Sequence, residues 1–108
     1  MKLKWCVTGF LLPILCAGVQ LCAQSVQTLV SFNCTNGSYP ISALTLGNDG
    51  NFYGTADNGG SNNEGTVFMV TTNGALTTLV SFAGTNGVDP AGGLTLGKDG
   101  NFYGTTYE

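Results

Sequence analysis

Acidic and amide side chains beside a tight turn are the first residues of this chain that could do chemistry. Asn48, Asp49 and Asn51 lie almost side by side, and Asp57 and Glu64 follow in the next stretch. Carboxylate and amide oxygens are the ligands that Ca²⁺ prefers. The spacing lacks the regular acidic ladder of a calcium loop, and a short acidic side chain in a turn more often bonds its own backbone. We therefore predict a turn-fixing role and no metal site.

Asp57 and Glu64 could also act as the paired carboxylates of a glycosidase. Both lie in a polar stretch, 57–65, that is rich in Asn, Gly and Ser and is typical of a surface loop, where acids are more often solvated than catalytic. The chain has no His and no Arg, which excludes a His-dependent hydrolase and a His-ligated metal. We predict a protein that is not an enzyme, with no catalytic residue and no cofactor.

Two adjacent aromatic pairs, Phe52-Tyr53 and Phe102-Tyr103, could form a platform for stacking sugars. Successive residues of a strand point to opposite faces, so at most one of each pair can be exposed. We expect one aromatic side chain to pack between neighbouring units and the other to cap its sheet. Gly59-Gly60 does not form a phosphate site, because neither a helix nor a lysine follows.

Composition limits the class of protein. The chain has 108 residues, 43% of them apolar, a net charge of -3 and a pI near 4.4. Three lysines without any arginine cannot neutralise a phosphate backbone, so nucleic-acid binding is excluded. The apolar fraction and the low net charge argue against disorder. The length allows one ordinary domain at most.

Residues 1–23 follow the three-part pattern of a secretory signal peptide, which we expect to be helical. Lys2 and Lys4 form a basic start, residues 7–19 are uncharged and mostly apolar, and Ala23 places a small residue at the cut. The alternative is an uncleaved membrane anchor, but the apolar core is short and interrupted by glycine and proline. We predict cleavage after Ala23 and a secreted or surface-exposed protein.

Cleavage would leave one cysteine and an acidic chain. Of the four cysteines only Cys34 follows the signal, so no disulfide can form within 24–108. Cys34 either pairs with a cysteine elsewhere or is a small, partly buried thiol. One lysine, Lys98, then faces six acidic residues, which gives a net charge of -5 and argues against adhesion to anionic lipid. The glycosylation triplets that start at Asn33 and Asn36 are discounted, because the signal is of a bacterial type.

A fifty-residue tandem repeat organises residues 24–108. About two thirds of the aligned positions are identical when 28–58 is paired with 78–108 without a gap. The shared pattern includes Asp99, which repeats Asp49, whereas Lys98 replaces Asn48. Copy one spans 28–77 and the partial copy two spans 78–108, about 1.7 copies in all. Copy two stops in mid-repeat, which predicts either a longer array or a shortened gene product.

Each repeat carries four strand signals. Residues 42–47, 52–55, 66–71 and 76–82 are rich in β-branched and aromatic side chains, with tight-turn residues at 48–50 and 73–74. No helical periodicity occurs outside the signal. The length and content favour one antiparallel propeller blade over a sandwich or a solenoid. We predict an all-β fold: a signal-peptide helix, then about 1.7 blades of an incomplete β-propeller.

The positions of the tight turns fix the order of the strands. We expect the strand at 42–47 to be innermost in its blade and the strand at 76–82 to be outermost. The strand at 27–32 is then a fourth strand that lacks its first three. In a closed propeller such a strand completes the last blade and closes the ring.

The repeat resembles that of a known family. Asp49 to Thr55, Gly65 to Phe68 and Gly74 to Leu79 are similar to the tandem repeat of the choice-of-anchor GloVer-containing bacterial proteins, and Asp99 to Glu108 resembles the same repeat. The resemblance covers 26–108. It implies a secreted or surface-displayed protein with many repeats and a distant sorting anchor, and it implies no catalytic residue.

Two hypotheses for the function remain open. The first is a non-catalytic extracellular scaffold whose loops serve adhesion or glycan binding, with an unknown extracellular protein or glycan, or further repeats, as partner. The alternative is the N-terminal part of an extracellular propeller enzyme whose catalytic residues lie outside this segment. The absence of His, Arg and a convergent acid cluster favours the scaffold.

Overall fold

The computed structural model describes residues 2–8 and 24–108. These residues contain eight strands and no helix, in three antiparallel sheets. The strands are β1 (Lys2–Thr8), β2 (Gln24–Ser31), β3 (Thr45–Leu46), β4 (Phe52–Ala56), β5 (Thr66–Val70), β6 (Leu76–Ser81), β7 (Thr95–Leu96) and β8 (Phe102–Tyr103). The all-β prediction is confirmed. Within the described residues, no helix is long and apolar enough to cross a membrane.

The central sheet has the order β3-β4-β5-β6, so each strand pairs with its neighbour in sequence. Three of its strands match the predicted bounds to within a residue or so. The first is shorter than predicted: Thr45–Leu46 replaces 42–47. Ser42 is part of a side-chain network instead, because its Oγ lies 2.8 Å from Thr55 Oγ1, which itself donates to the carbonyl of Gly92.

The second repeat begins a new sheet in the same register. Thr45 pairs with Tyr53 and Leu46 with Phe52 in the first repeat. The residues fifty positions later pair in the same way, because Thr95 faces Tyr103 and Leu96 faces Phe102. The tandem organisation inferred from the sequence is therefore present in the backbone pairing.

β2, which runs into the start of copy one, does not stand alone, contrary to the sequence-based expectation. β2 pairs with β1. Leu3 faces Val30 and Lys4 faces Thr28, which makes Leu29 a bulge residue. β5 and β6 have the same irregularity fifty residues later, at Leu79. β1 therefore lies beside β2 as a third strand lies beside a fourth.

The expected signal-peptide helix is not found in Lys2–Thr8, because these residues form β1. The remainder of the predicted signal, Met1 and residues 9–23, and its expected cleavage point lie outside the described residues.

The core lies between the central sheet and β2. Val30, Ala56, Phe68 and Val70 are buried, and Leu29, Phe32, Leu44 and Leu76 pack against them. Phe32 and Phe68 meet edge to face, with ring centroids 4.8 Å apart. β2 belongs to a separate sheet and covers the central one, which is how stacked units bury apolar area.

Candidate functional site

The turn between β3 and β4 is built twice with the same hydrogen bonds. Gly50 N–H donates to the carbonyl of Gly47 over 3.1 Å, and Gly100 N–H donates to that of Gly97 over 3.0 Å. Gly50 has a φ of 82° and Gly100 has a φ of 84°. Residues other than glycine rarely adopt these positive values of φ. The tight turns predicted at 48–50 and in copy two are confirmed.

Asp49 lies at the centre of a small hydrogen-bond network that includes Asn51 and Tyr53. The Asp49 carboxylate accepts bonds from the Asn51 backbone N–H at 3.1 Å, the Asn51 Nδ2 at 2.9 Å and the Tyr53 hydroxyl at 2.7 Å. Asp99 accepts the equivalent three bonds at 3.1, 2.9 and 2.6 Å. The backbone bond is the turn contact that the sequence predicts. The tyrosine was not anticipated, although its recurrence four residues after each aspartate was visible.

The other residues considered as calcium ligands do not join the hydrogen bonds around Asp49. Asp57 Oδ2 accepts a bond from Asn58 Nδ2 at 3.0 Å, away from the Asp49 network. Among residues 2–8 and 24–108, no group of three or more His, Cys, Asp or Glu side chains is arranged to hold a metal ion.

Replacing Asp49 with Asn tests whether this residue stabilises the turn or binds a metal ion. Asparagine retains an oxygen that can accept from Asn51 N–H, and the two bonds that its Nδ2 cannot accept lie at the exposed surface, so we expect the melting temperature to fall by less than about 4 °C. The melting temperature should also be independent of added Ca²⁺. Differential scanning calorimetry with and without Ca²⁺ checks both. A calcium-dependent melting temperature that is lost in Asp49→Asn would contradict the turn assignment.

The hydrogen bonds around Asp49 and Asp99 also make the stability of the fold depend on pH. The hydrogen bond from the Tyr53 hydroxyl, followed by that from Asn51 N–H, lowers the pKa of Asp49 below 3.8. The same bond from Tyr103 leads the causes that lower the pKa of Asp99. The bond to Asp49 raises the pKa of Tyr53 above 10.0. Folding therefore favours the ionised aspartates and the neutral tyrosine.

We expect a plateau in melting temperature between about pH 5 and pH 9. A lowered carboxyl pKa contributes stability above its unfolded value, and this is lost as the pH falls through the folded pKa. A raised phenol pKa contributes stability below its unfolded value, and this is lost as the pH rises through the folded pKa. Tyr53→Phe should flatten both slopes in a series of thermal melts, whereas Tyr107→Phe should leave them unchanged. Equal profiles for the two variants would contradict this role.

The aromatic pairs join the two repeats. The rings of Tyr53 and Phe102 are stacked, with centroids 4.2 Å apart. The expectation that one aromatic side chain of a pair packs between units is met by Tyr53. Tyr103, its equivalent in the second repeat, is 56% exposed. One ring of this pattern is therefore open to solvent while its hydroxyl remains bonded to Asp99.

The loop at 57–65 is held by backbone contacts. Asp57 N–H donates to the carbonyl of Tyr39, and the Glu64 carbonyl accepts from Asp89 N–H at 3.0 Å. Gly60 N–H donates to the carbonyl of Cys34. At Gly59 a Cβ would come within 2.7 Å of Gly37 Cα, so this glycine serves the close approach of two loops. Asp57 and Glu64 belong to this connection between neighbouring loops.

Cys34 is an exposed free thiol, so the alternative of a partly buried thiol was wrong. The side-chain oxygen of the preceding Asn33 accepts bonds from the backbone N–H groups of Thr35 and Asn36, each at 3.0 Å. Asn33 N–H in turn donates to Asn36 Oδ1 at 2.7 Å, and Ala83 N–H repeats this bond to Asn86. Both asparagines of the glycosylation triplets thus fix a loop.

Several contacts between the repeats were not anticipated. Thr55 Oγ1 donates to the carbonyl of Gly92 at 2.9 Å, and Thr45 Oγ1 donates to that of Leu94.

Tyr39 and Asp89 lie fifty residues apart, and both have a positive φ, of 55° and 47°. Because the two residue types differ, this shared backbone conformation could not be predicted from sequence identity between the copies.

The comparisons with known proteins agree with the repeat geometry. The model of one family, described as the Gloeobacter/Verrucomicrobia repeat, matches residues 18–108. A search of curated proteins and a search of solved structures found no match. The match covers most of the chain and includes both copies of the Asp–Asn–Tyr turn, and the chain therefore belongs to the Gloeobacter/Verrucomicrobia repeat family.

Proposed function

We propose that the chain is a non-catalytic repeat scaffold, secreted or displayed at the cell surface, whose repeats are adjacent blades of a β-propeller. The four-stranded order β3-β4-β5-β6 and the restart of the same register in β7-β8 support the blade assignment. The basic start and apolar core of residues 1–23 support export.

Glycan binding is the display function that the surface supports best. The observation that carries it is the ring of Tyr103, which is more than half exposed and is held in place by the bond from its hydroxyl to Asp99. A fixed aromatic face stacks on the apolar face of a sugar with little loss of side-chain entropy. The net charge of -5 over residues 24–108 disfavours acidic sugars, so neutral glycans are the proposed ligands.

Binding of the full chain to immobilised neutral oligosaccharides tests this proposal. We expect Tyr103→Ala to weaken binding at least about tenfold, because the stacking face is removed. Tyr107→Ala is the matched control, since Tyr107 is 82% exposed and lies outside the turn network. Equal binding by both variants, or hydrolysis of the oligosaccharide, would count against a glycan-binding scaffold.

Export is tested separately. N-terminal sequencing of protein recovered outside the producing cell should begin Gln-Ser-Val-Gln, because cleavage after Ala23 leaves Gln24 first. A chain that still begins with Met1 and remains in the membrane would contradict secretion.

A further inference from the structure

A cleft of about 390 Å³ lies between the central sheet and the β7–β8 hairpin. Val67, Val80 and Phe82 line it on the side of the central sheet, and Leu94, Phe102, Gly104 and Thr106 line it on the side of the β7–β8 hairpin. Most of this lining is apolar. The cleft is distinct from the Asp–Asn–Tyr turns.

The corresponding place in the first repeat shows what such a cleft holds. There Phe68 is almost fully buried, with its ring against Phe32. A Cβ built on Gly54 would meet Phe68 Cζ at 2.8 Å and Leu44 Cδ2 at 2.9 Å. The phenylalanine ring therefore fills the space over Gly54, beside Leu44 and Phe32.

The three residues that surround Phe68 have counterparts fifty positions later, and all three line the cleft. Gly104 corresponds to Gly54, Leu94 to Leu44 and Phe82 to Phe32. A Cβ on Gly104 would meet Leu94 Cδ2 at 2.9 Å, as Gly54 meets Leu44. These three residues thus form the walls of a seat for a phenylalanine ring, and among the described residues they line an open cleft.

The backbone beside the cleft is also open. Gly54 and Thr55 are buried in β4, where β5 covers them, and Gly54 faces Phe68 across the ladder. Gly104 and Thr105 carry the same residue types but are exposed. Within the part of the chain that the structure describes, β8 pairs only with β7, so its other edge is open beside an apolar cleft. This is the arrangement that β-strand addition uses.

We propose that this cleft is the docking site for the third strand of a further copy of the repeat, with the pattern Thr-Val-Phe-Met-Val. The strand pairs antiparallel with residues 102–106, as β5 pairs with β4. Its central phenylalanine lies opposite Gly104 and fills the space between Leu94 and Phe82. This inference does not rest on glycan binding, although the docked strand pairs with β8, which carries Tyr103.

A peptide with the sequence of residues 65–71, flanked by lysines for solubility, tests the proposal on the full chain. We expect saturable one-to-one binding by fluorescence anisotropy, with new hydrogen-exchange protection at residues 102–106. Changing the peptide residue that corresponds to Phe68 to alanine should weaken binding at least about tenfold, since that ring fills the seat.

A matched pair of chain variants locates the seat. Gly104→Ala places a methyl group where the ring would lie and should weaken peptide binding at least about tenfold. Gly93→Ala is the control, because its Cβ meets no atom closer than 3.6 Å and lies outside the cleft lining. Should Gly104→Ala fail to fold, the alanine peptide decides alone.

Three outcomes would overturn the proposal. One is equal binding of the phenylalanine and alanine peptides. Another is unchanged peptide binding by a folded Gly104→Ala chain. The third is concentration-dependent dimerisation of the full chain that Gly104→Ala abolishes, because a second whole copy would then be the occupant.

Discussion

Replacement of Phe68 by alanine is expected to abolish the cooperative unfolding of this chain. The side chain is 1% exposed and packs on Phe32, so its removal leaves a cavity between β2 and the central sheet. Such substitutions cost about 3–5 kcal/mol, which is most of the stability of a small domain. Urea denaturation followed by far-ultraviolet circular dichroism provides the measurement.

The control for Phe68 is Leu79→Ala. Leu79 is the bulge residue of β6 and is half exposed, so its truncation should shift the unfolding midpoint only slightly. Phe68→Leu should fall between the two, because it retains part of the buried volume. If Phe68→Ala unfolds at the same urea concentration as Leu79→Ala, the core does not depend on the contact between Phe68 and Phe32.

Residues 24–108 alone are expected to be partly unfolded or oligomeric, and completion of the second repeat should make them monomeric. Without β1 the edge of β2 is open, and the β7–β8 hairpin lacks the strands that cover its counterpart. β6 adds an outer edge without charged residues, on which Leu79 and Val80 are exposed. Open, uncharged edges self-associate.

The completed form carries a second copy of residues 59–82 after Glu108. It gains a buried phenylalanine in the cleft, so we expect its melting temperature to rise by at least about 10 °C. Calorimetry and light scattering measure the two effects. The control carries alanine in place of the added phenylalanine and should lose most of the gain. A cooperative melt from strictly monomeric 24–108 would favour a compact sandwich.

The sequence predicted the parts of the fold that short-range chemistry determines. The turn at 48–50 follows from the backbone preferences of Asp49, Gly50 and Asn51. Because the sequence repeats after fifty residues, the same turn could be predicted at Asp99. The β-branched run at β5 predicted its bounds closely, because a strand buried on one face needs that pattern.

Contacts between repeats could not be predicted in the same way. β3 is short because Ser42 and Thr55 bond to each other and to the second repeat, and no pattern in one segment encodes that. The strand conformation of Lys2–Thr8 is determined by pairing with β2, which overrides the local pattern of a basic leader. The exposure of the Tyr103 ring likewise depends on whether another unit packs against it, as Phe102 packs against Tyr53.

The backbone contact that joins residues 38 and 58 recurs between residues 88 and 108. Such equivalent contacts affect how a gene of this kind can gain or lose repeats. Ser38 N–H donates to the carbonyl of Asn58 at 2.7 Å, and Val88 N–H donates to that of Glu108 at 2.9 Å. Recombination between two copies of the repeat that retains the fifty-residue phase would therefore join compatible surfaces at every junction. Duplications and deletions of whole repeats should be tolerated, whereas a shift of even one residue would turn the paired strands over.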